Sequence, residues 1–284
     1  MAIKGNKVIE KAVFSIFRLS AYVNIMALGL FFYFLVKNGI SAISWEFLTS
    51  PPKDMMTKGG IFPCILGTFI LSLGSMIVAL PFGIGTAIYL SEYAKEGFVL
   101  RLIRIGINNL AGVPSIVFGL FGLAFFATYL KFKVSILTGI CTLGILVLPV
   151  IIGTAEEALS SVPDTFREAS YALGATKWQT IKKVILPAAL PGILTGLILS
   201  LSRAAGETAA IMYTAAVFFA PKLPHSIFDP VMALPYHIYV LATAGTQIEK
   251  TRNLQYGSAL VLVILILIMN LIAIYLRGKK QEKF

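Results

Sequence analysis

An arginine and a glutamate stand four residues apart inside a long apolar run, Ser200-Leu201-Ser202-Arg203-Ala204-Ala205-Gly206-Glu207-Thr208. Read as a helix entering the membrane near Pro191, this run carries Arg203 about half way across. A centred arginine costs about 2.5–3.5 kcal/mol even on the most lenient scale, so its presence asks for a reason. A guanidinium is the side chain best shaped to hold an oxyanion through paired, charge-assisted hydrogen bonds. Glu207 is expected one turn on and on the same face, in a stripe with Gly192, Gly196, Ser200 and Thr214 that turns toward other helices or water. Two readings stand. Arg203 and Glu207 neutralise each other as a structural pair, or Arg203 lines a pathway for an anion. In the second, Glu207 steadies the arginine or takes a proton from a protonated oxyanion. The second is preferred, because a small apolar pair would fill the same space at lower cost.

The other chemistry-bearing stretch runs from Glu156 to Pro191. It is polar and carries both charge signs, yet it lies between two apolar runs. Such a segment cannot sit in hydrocarbon, where each unpaired backbone group costs several kcal/mol. It reads as two short helices with a corner. Pro163 suits a first helical turn, and Asp164 and Glu168 favour the positive end of the dipole. Gly174 can take the left-handed conformation that ends a helix. Thr176 and Gln179 match a capping box. Lys182 and Lys183 are expected to close the second helix, with Pro187 and Pro191 punctuating the chain before the next span. A rigid knuckle held against the membrane surface reads as a docking element, with a loop that has no partner as the plain alternative.

Glu168-Ala169-Ser170, Gly174 and Val184-Ile185-Leu186-Pro187, at their spacing here, resemble the EAA loop of ABC importer permeases. Ser170 stands where that family usually has Ala, and Val184 where it usually has Ile. The resemblance implies that Glu168, Ala169, Gly174, Leu186 and Pro187 form an ATPase-coupling element docking on a separate ATP-hydrolysing subunit. The motif carries no information on substrate.

The elements that must position these residues follow from composition. The chain has 284 residues, 57% of them hydrophobic and only 13% charged. Soluble domains carry nearer 25% charged residues, so this is a polytopic membrane protein. A net charge of +11 would suggest nucleic acid in a soluble protein; here the basic residues flank apolar runs and report topology, and no nucleic-acid partner is expected. Six runs are long enough to cross the bilayer as helices, near 15–36, 62–90, 102–128, 134–155, 191–219 and 255–276. The expected fold class is all-α with six transmembrane helices. Fifteen Lys and Arg fall on the side of the termini and the 156–190 loop, against eight on the other. Both termini are therefore placed in the cytoplasm of a multi-pass protein of the cell (inner) membrane. The expected division is an N-terminal helix and outer loop over 1–61, a core over 62–276 with a cytoplasmic loop at 156–190, and a tail at 277–284.

Several features narrow the chemistry. Gly83-Ile84-Gly85 follows no strand and lacks a third glycine, so it is read as part of a close-packed or kinked helix and not as a nucleotide loop. Pro114 is expected to kink or break the third span, with Ser115 and Gly119 permitting close helix approach. Cys64 and Cys141 both fall in apolar runs, which argues against a disulfide framework. His225 and His237 read as surface hydrogen-bonders, and no metal site or cofactor is expected. The last outer loop, 220–254, is long enough for a short helix, and the last span reads as packing passively or facing lipid.

Trp45-Glu46-Phe47-Leu48, Gly59–Pro63, Ser91-Glu92-Tyr93-Ala94, the Ala111–Gly122 run and Arg203–Thr208 resemble the permease subunits of ABC-type phosphate importers. Gly59–Pro63 together with Ala233–Tyr239 resembles the PstA-type subunit more than its PstC-type partner. Ala209-Ala210-Ile211 departs from an expected Ala-Pro-Leu, which puts the bend of the fifth helix in question. The resemblance implies half of a phosphate pathway. Its implied partners are a second homologous permease, two ATP-binding subunits and an extracytoplasmic phosphate-binding protein, all around a chain that is not itself an enzyme. The alternatives are a permease for another oxyanion, such as sulfate or molybdate, and an ion-coupled secondary transporter, which would need the charge pair but no docking knuckle.

Overall fold

The long apolar runs can satisfy their backbone in hydrocarbon only as helices, and helices are what the computed structural model contains. It describes residues 7–56, 58–220, 222–243 and 248–281. Helix α1 (Lys7–Gly39) is followed by the short α2 (Trp45–Thr49), whose N-cap Ser44 accepts the Phe47 amide at 3.1 Å. A two-stranded hairpin, β1 (Pro52–Lys53) with β2 (Lys58–Gly59), is the one sheet in an otherwise helical fold among the described residues. Gly59 turns at a φ of +88°, which only glycine takes freely.

Helix α3 (Phe62–Ile88) ends in a π-turn at Tyr89–Tyr93. Pro81 and the Gly83-Ile84-Gly85 run sit inside α3, as the close-packed reading expects. The third apolar run is split as Pro114 predicts. Helix α4 (Phe98–Ala111) and the segment made of α5 (Ser115–Gly122) and a π-turn (Leu123–Tyr129) meet at 99°. Helix α4 ends at Ala111 with Gly112 as its C-cap, two residues ahead of Pro114. Counting this bent pair as one span gives six crossings among the described residues, and otherwise five.

Helix α6 (Ile136–Ser160) is the centre of the bundle and packs against α3, α4 and α5. It also carries the first correction. Glu156 and Glu157 lie on its last turns, and Arg104 of α4 reaches Glu156 at 2.6 Å. The polar loop therefore begins after Ser160. Helix α7 (Asp164–Ala172) follows, then α8 (Lys177–Thr180), a π-turn at Ile181–Ile185, and α9 (Leu186–Gly206) without interruption. Neither Lys182 and Lys183 nor Pro187 and Pro191 end that helix, contrary to expectation. Pro187 occupies the first turn of α9, where its missing N–H is tolerated. The preceding π-turn, in which the Leu186 amide bonds to the Ile181 carbonyl, rearranges the hydrogen bonds just ahead of it.

Helix α9 stops at Gly206, and α10 (Ala209–Thr214) restarts after Glu207-Thr208. The chain then folds over the end of the bundle where α6 begins. Residues 215–217 pair in parallel with Val231, and the carbonyls of Thr214, Asp229 and Ile227 accept the amides of Ser135, Ile136 and Leu137. The free first-turn donors of α6 are thereby satisfied by the end of α10 and the loop after it. Helix α11 (Leu234–Thr243) supplies the expected short helix of that loop, and α12 (Ile248–Gln281) closes the fold against α1, α9 and α11. Helix α1 packs mainly on α12 and leaves most of its apolar surface exposed.

Candidate functional site

The knuckle between α6 and α9 is built from interlocking local rules. The Gly174 amide bonds to Tyr171 O at 2.9 Å and the Ala175 amide to Ser170 O at 3.2 Å, a Schellman closure of α7 with Gly174 at φ +78°. The capping box is present in full. Thr176 N–H donates to Gln179 Oε1 at 2.9 Å, and Gln179 N–H donates to Thr176 Oγ1 at 3.3 Å. Across the corner, the buried hydroxyls of Ser170 and Thr180 share a hydrogen bond of 2.9 Å. Under the knuckle, Leu159, Val162, Ile181, Ile185, Ala189 and Ile193 form a separate apolar cluster.

One side chain fixes α7 to the membrane core. Arg167 donates from Nη2 to Glu92 Oε1 at 2.8 Å and to Leu159 O at 3.1 Å. From Nη1 it donates to Val162 O at 2.7 Å and Asp164 Oδ1 at 3.1 Å, and from Nε to Glu92 Oε1 at 3.2 Å. The side chains of Arg167 and Glu92 are 16% and 5% exposed. The Glu92 hydrogen bond is the largest influence raising the Arg167 pKa above its ordinary value.

The outward surface is apolar. Phe166, Tyr171 and Trp178 are exposed, and Leu173 is 89% exposed. Glu168, Ala169 and Gly174 lie on that surface, whereas Leu186 and Pro187 are half-buried where the chain re-enters the bundle. The structure thus sets three of the five residues expected to couple on the knuckle surface and the other two in the return helix. Exposed apolar side chains stand here among Asp164, Glu168, Lys182 and Lys183.

At the far end of α9, Arg203 and Glu207 are not brought together. Glu207 has left the helix (φ −75°, ψ 128°). It is half-buried in a crevice with Thr68, Leu71, Leu143, Ile211, Ala233 and Pro235. Arg203 is exposed, in a stripe with Gly192, Thr195, Leu199 and Gly206. Among the described residues neither forms an ion pair, so the structural pairing, the less favoured of the two sequence readings, is absent. Gly196 and Ser200 also leave the expected stripe and are buried. Rows of residues four apart drift by about 40° per step, so Ser200 turns well away from Gly192 while Arg203 returns near it. The break at Gly206 forms without a proline in the next segment; glycine is itself a poor helix residue, by about 1 kcal/mol against alanine.

Sequence reasoning missed two other polar features. Ser202 meets Asn270 of α12 at 2.9 Å, so the last span is not merely passive. His237 is 4% exposed, and its Nδ1 has no partner among the described residues, so it is no surface histidine. It borders a small cavity with Phe47, Met56, Lys58 and Leu254, and burial pushes its imidazole down to about 4. His225 is exposed, and the backbone amides of His225 and Ser226 bond Asp229. No metal-binding cluster of His, Cys, Asp or Glu occurs among the described residues.

The sequence pattern of the family described as "Binding-protein-dependent transport system inner membrane component" matches residues 79–278, which include the bent span, the knuckle, α9 and α12. The chain belongs to that family. As an ABC transporter permease it resembles "Probable ABC transporter permease protein YqgI" of Bacillus subtilis (strain 168), with 34% identity covering 96% of both chains. It also resembles "Phosphate transport system permease protein PstA 1" of Mycobacterium tuberculosis (strain CDC 1551 / Oshkosh). Identity there is 38% over 77% of this chain and 71% of the relative. Its fold matches a bacterial ABC transporter involved in the import of the acidic polysaccharide alginate, with a TM-score of 0.63 and 14% identity over 94% of this chain and 99% of the other. The permease is thus an all-α, membrane-embedded ABC importer subunit.

Proposed function

We propose that this permease is the PstA-type half of an ATP-driven inorganic phosphate importer. The supporting observation is Arg203, an exposed guanidinium with no carboxylate partner among the described residues, at the point where α9 breaks. An unneutralised guanidinium at that depth is costly in lipid and useful only against an anion or water. Glu207, held off in its crevice, is free of Arg203 and able to receive a proton from a protonated oxyanion. Relatives named as phosphate permeases support phosphate as that oxyanion.

In this reading a second, homologous permease faces the Arg203 stripe and completes the pathway. An extracytoplasmic phosphate-binding protein delivers the anion to the outer loops, and both termini lie in the cytoplasm. One of two ATP-binding subunits takes the Phe166, Leu173 and Trp178 surface, together with Glu168, Ala169 and Gly174 beside it. Their closure rocks the knuckle and switches the cavity between sides. Hydrolysis occurs on those subunits and no catalysis on this chain. The test is uptake of labelled phosphate into proteoliposomes holding the purified complex, with sulfate and molybdate as competitors. Phosphate alone competing at low excess supports the reading; equal or better competition by sulfate or molybdate replaces it with another oxyanion.

A further inference from the structure

The π-turn at the end of α3 is held by the knuckle at two adjacent residues. Glu92 receives two hydrogen bonds from Arg167 of α7, and the ring of Tyr93 lies 4.9 Å from Nζ of Lys177, the first residue of α8. Both knuckle helices therefore grip one short segment, Ser91-Glu92-Tyr93, on a different helix of the core. The same guanidinium also holds the carbonyls of Leu159 and Val162 at the end of α6.

We propose that this turn is the joint through which knuckle motion reaches α3, with Arg167 and Glu92 as positioning residues and Lys177 on Tyr93 as a second hold. The inference rests on the coupling role proposed for the knuckle and adds where its motion goes. A contact that merely braced the fold would need only one of the two helices. Gripping from both sides makes α7 and α8 pull on α3 as one body, so movement of the docking surface carries the end of α3 with it. A π-turn is suited to this place, because its looser i to i+5 hydrogen bonds can re-form as ordinary helix. The arrangement is also directional in charge. A glutamate at position 167 would face the Leu159 and Val162 carbonyls, so exchanging the two charges should not restore the joint.

The test uses the assembled complex in proteoliposomes, with ATP hydrolysis measured with and without phosphate-loaded binding protein. In Glu92→Gln, the ATP-binding subunits should co-purify in wild-type ratio while stimulation by the binding protein falls at least about fivefold, the low end of ordinary intersite couplings. Exchanging the charges, Glu92→Arg with Arg167→Glu, should leave it low. Stimulation kept within about twofold of wild type in Glu92→Gln overturns the proposal; restoration by the exchange overturns the part given to the Leu159 and Val162 carbonyls. If Glu92→Gln does not assemble, Lys177→Gln leaves the ion pair intact and is measured the same way, unchanged stimulation again overturning it. A wild-type complex that shows no stimulation would instead refute the proposed function, so the two failures are distinct.

Discussion

Arg203 and Glu207 stand four residues apart in sequence but on opposite sides of a helix end, the arginine exposed on α9 and the carboxylate half-buried beyond it. The separation gives the two groups different work. An arginine already neutralised by a neighbouring carboxylate would offer an anion little. One without a partner can take the full charge of a passing oxyanion, which is the role proposed for Arg203.

Glu207→Gln should therefore leave assembly and thermal stability close to wild type, since no ion pair is lost. Uptake should slow. Initial uptake rates check this. A melting temperature lowered by several degrees with unchanged uptake would mark Glu207 as structural.

The Ser170–Thr180 clip predicts a non-additive pair. Ser170→Ala alone leaves the Thr180 hydroxyl buried without its partner, at about 1–3 kcal/mol. Adding Thr180→Val should recover most of that loss. Thermal unfolding of the purified complex, read for both single variants and the double variant, measures the difference.

Gly174 predicts a split between conformation and contact. Nothing lies within 4 Å of where its Cβ would stand, so Gly174→Ala meets no clash. The cost is that of a left-handed residue, about 1–2 kcal/mol, and Gly174→Asn should cost less. Co-purification of the ATP-binding subunits should weaken in the order Gly, Asn, Ala.

His237 predicts an acid-sensitive cap over the end of the bundle where α6 begins. Its imidazole is neutral in the folded protein, with its pKa lowered from 6.5 to about 4 by burial. Protons are thus taken up more readily when the cap opens. Stability contributed by His237 is full above about pH 6.5, falls as the pH drops toward about 4, and is flat below that. The loss reaches up to about 3 kcal/mol. Melting temperatures of wild type and His237→Gln should converge at acid pH, and a constant difference would contradict the assignment.

What was legible in the sequence was what depends on neighbours along the chain. The Thr176–Gln179 capping box, the left-handed Gly174 and the break at Pro114 are local rules, and each is present. What was not legible depends on distant packing or on small angular drift. Arg167 finds Glu92 seventy-five positions away, and only the position of Glu92 just after an apolar run hinted that it needed a partner. Pro187 reads as a break only in an ordinary helix, and the π-turn at Ile181–Ile185 just ahead of it removes that premise; Pro191 lies within continuous α9. The Gly192–Thr214 stripe failed for two reasons, the drift that buries Ser200 and the end of the helix at Gly206. Asn270 was hidden by the Ile and Leu around it, though a lone amide in such a run is itself a signal.

The most direct measurement is labelled phosphate uptake by Arg203→Gln in a complex that still assembles and still hydrolyses ATP. Uptake should fall by roughly a hundredfold or more, as expected for loss of about 3 kcal/mol of charge-assisted binding. Uptake at the wild-type rate would contradict the account, because the anion would then cross without the one guanidinium that α9 holds out to it.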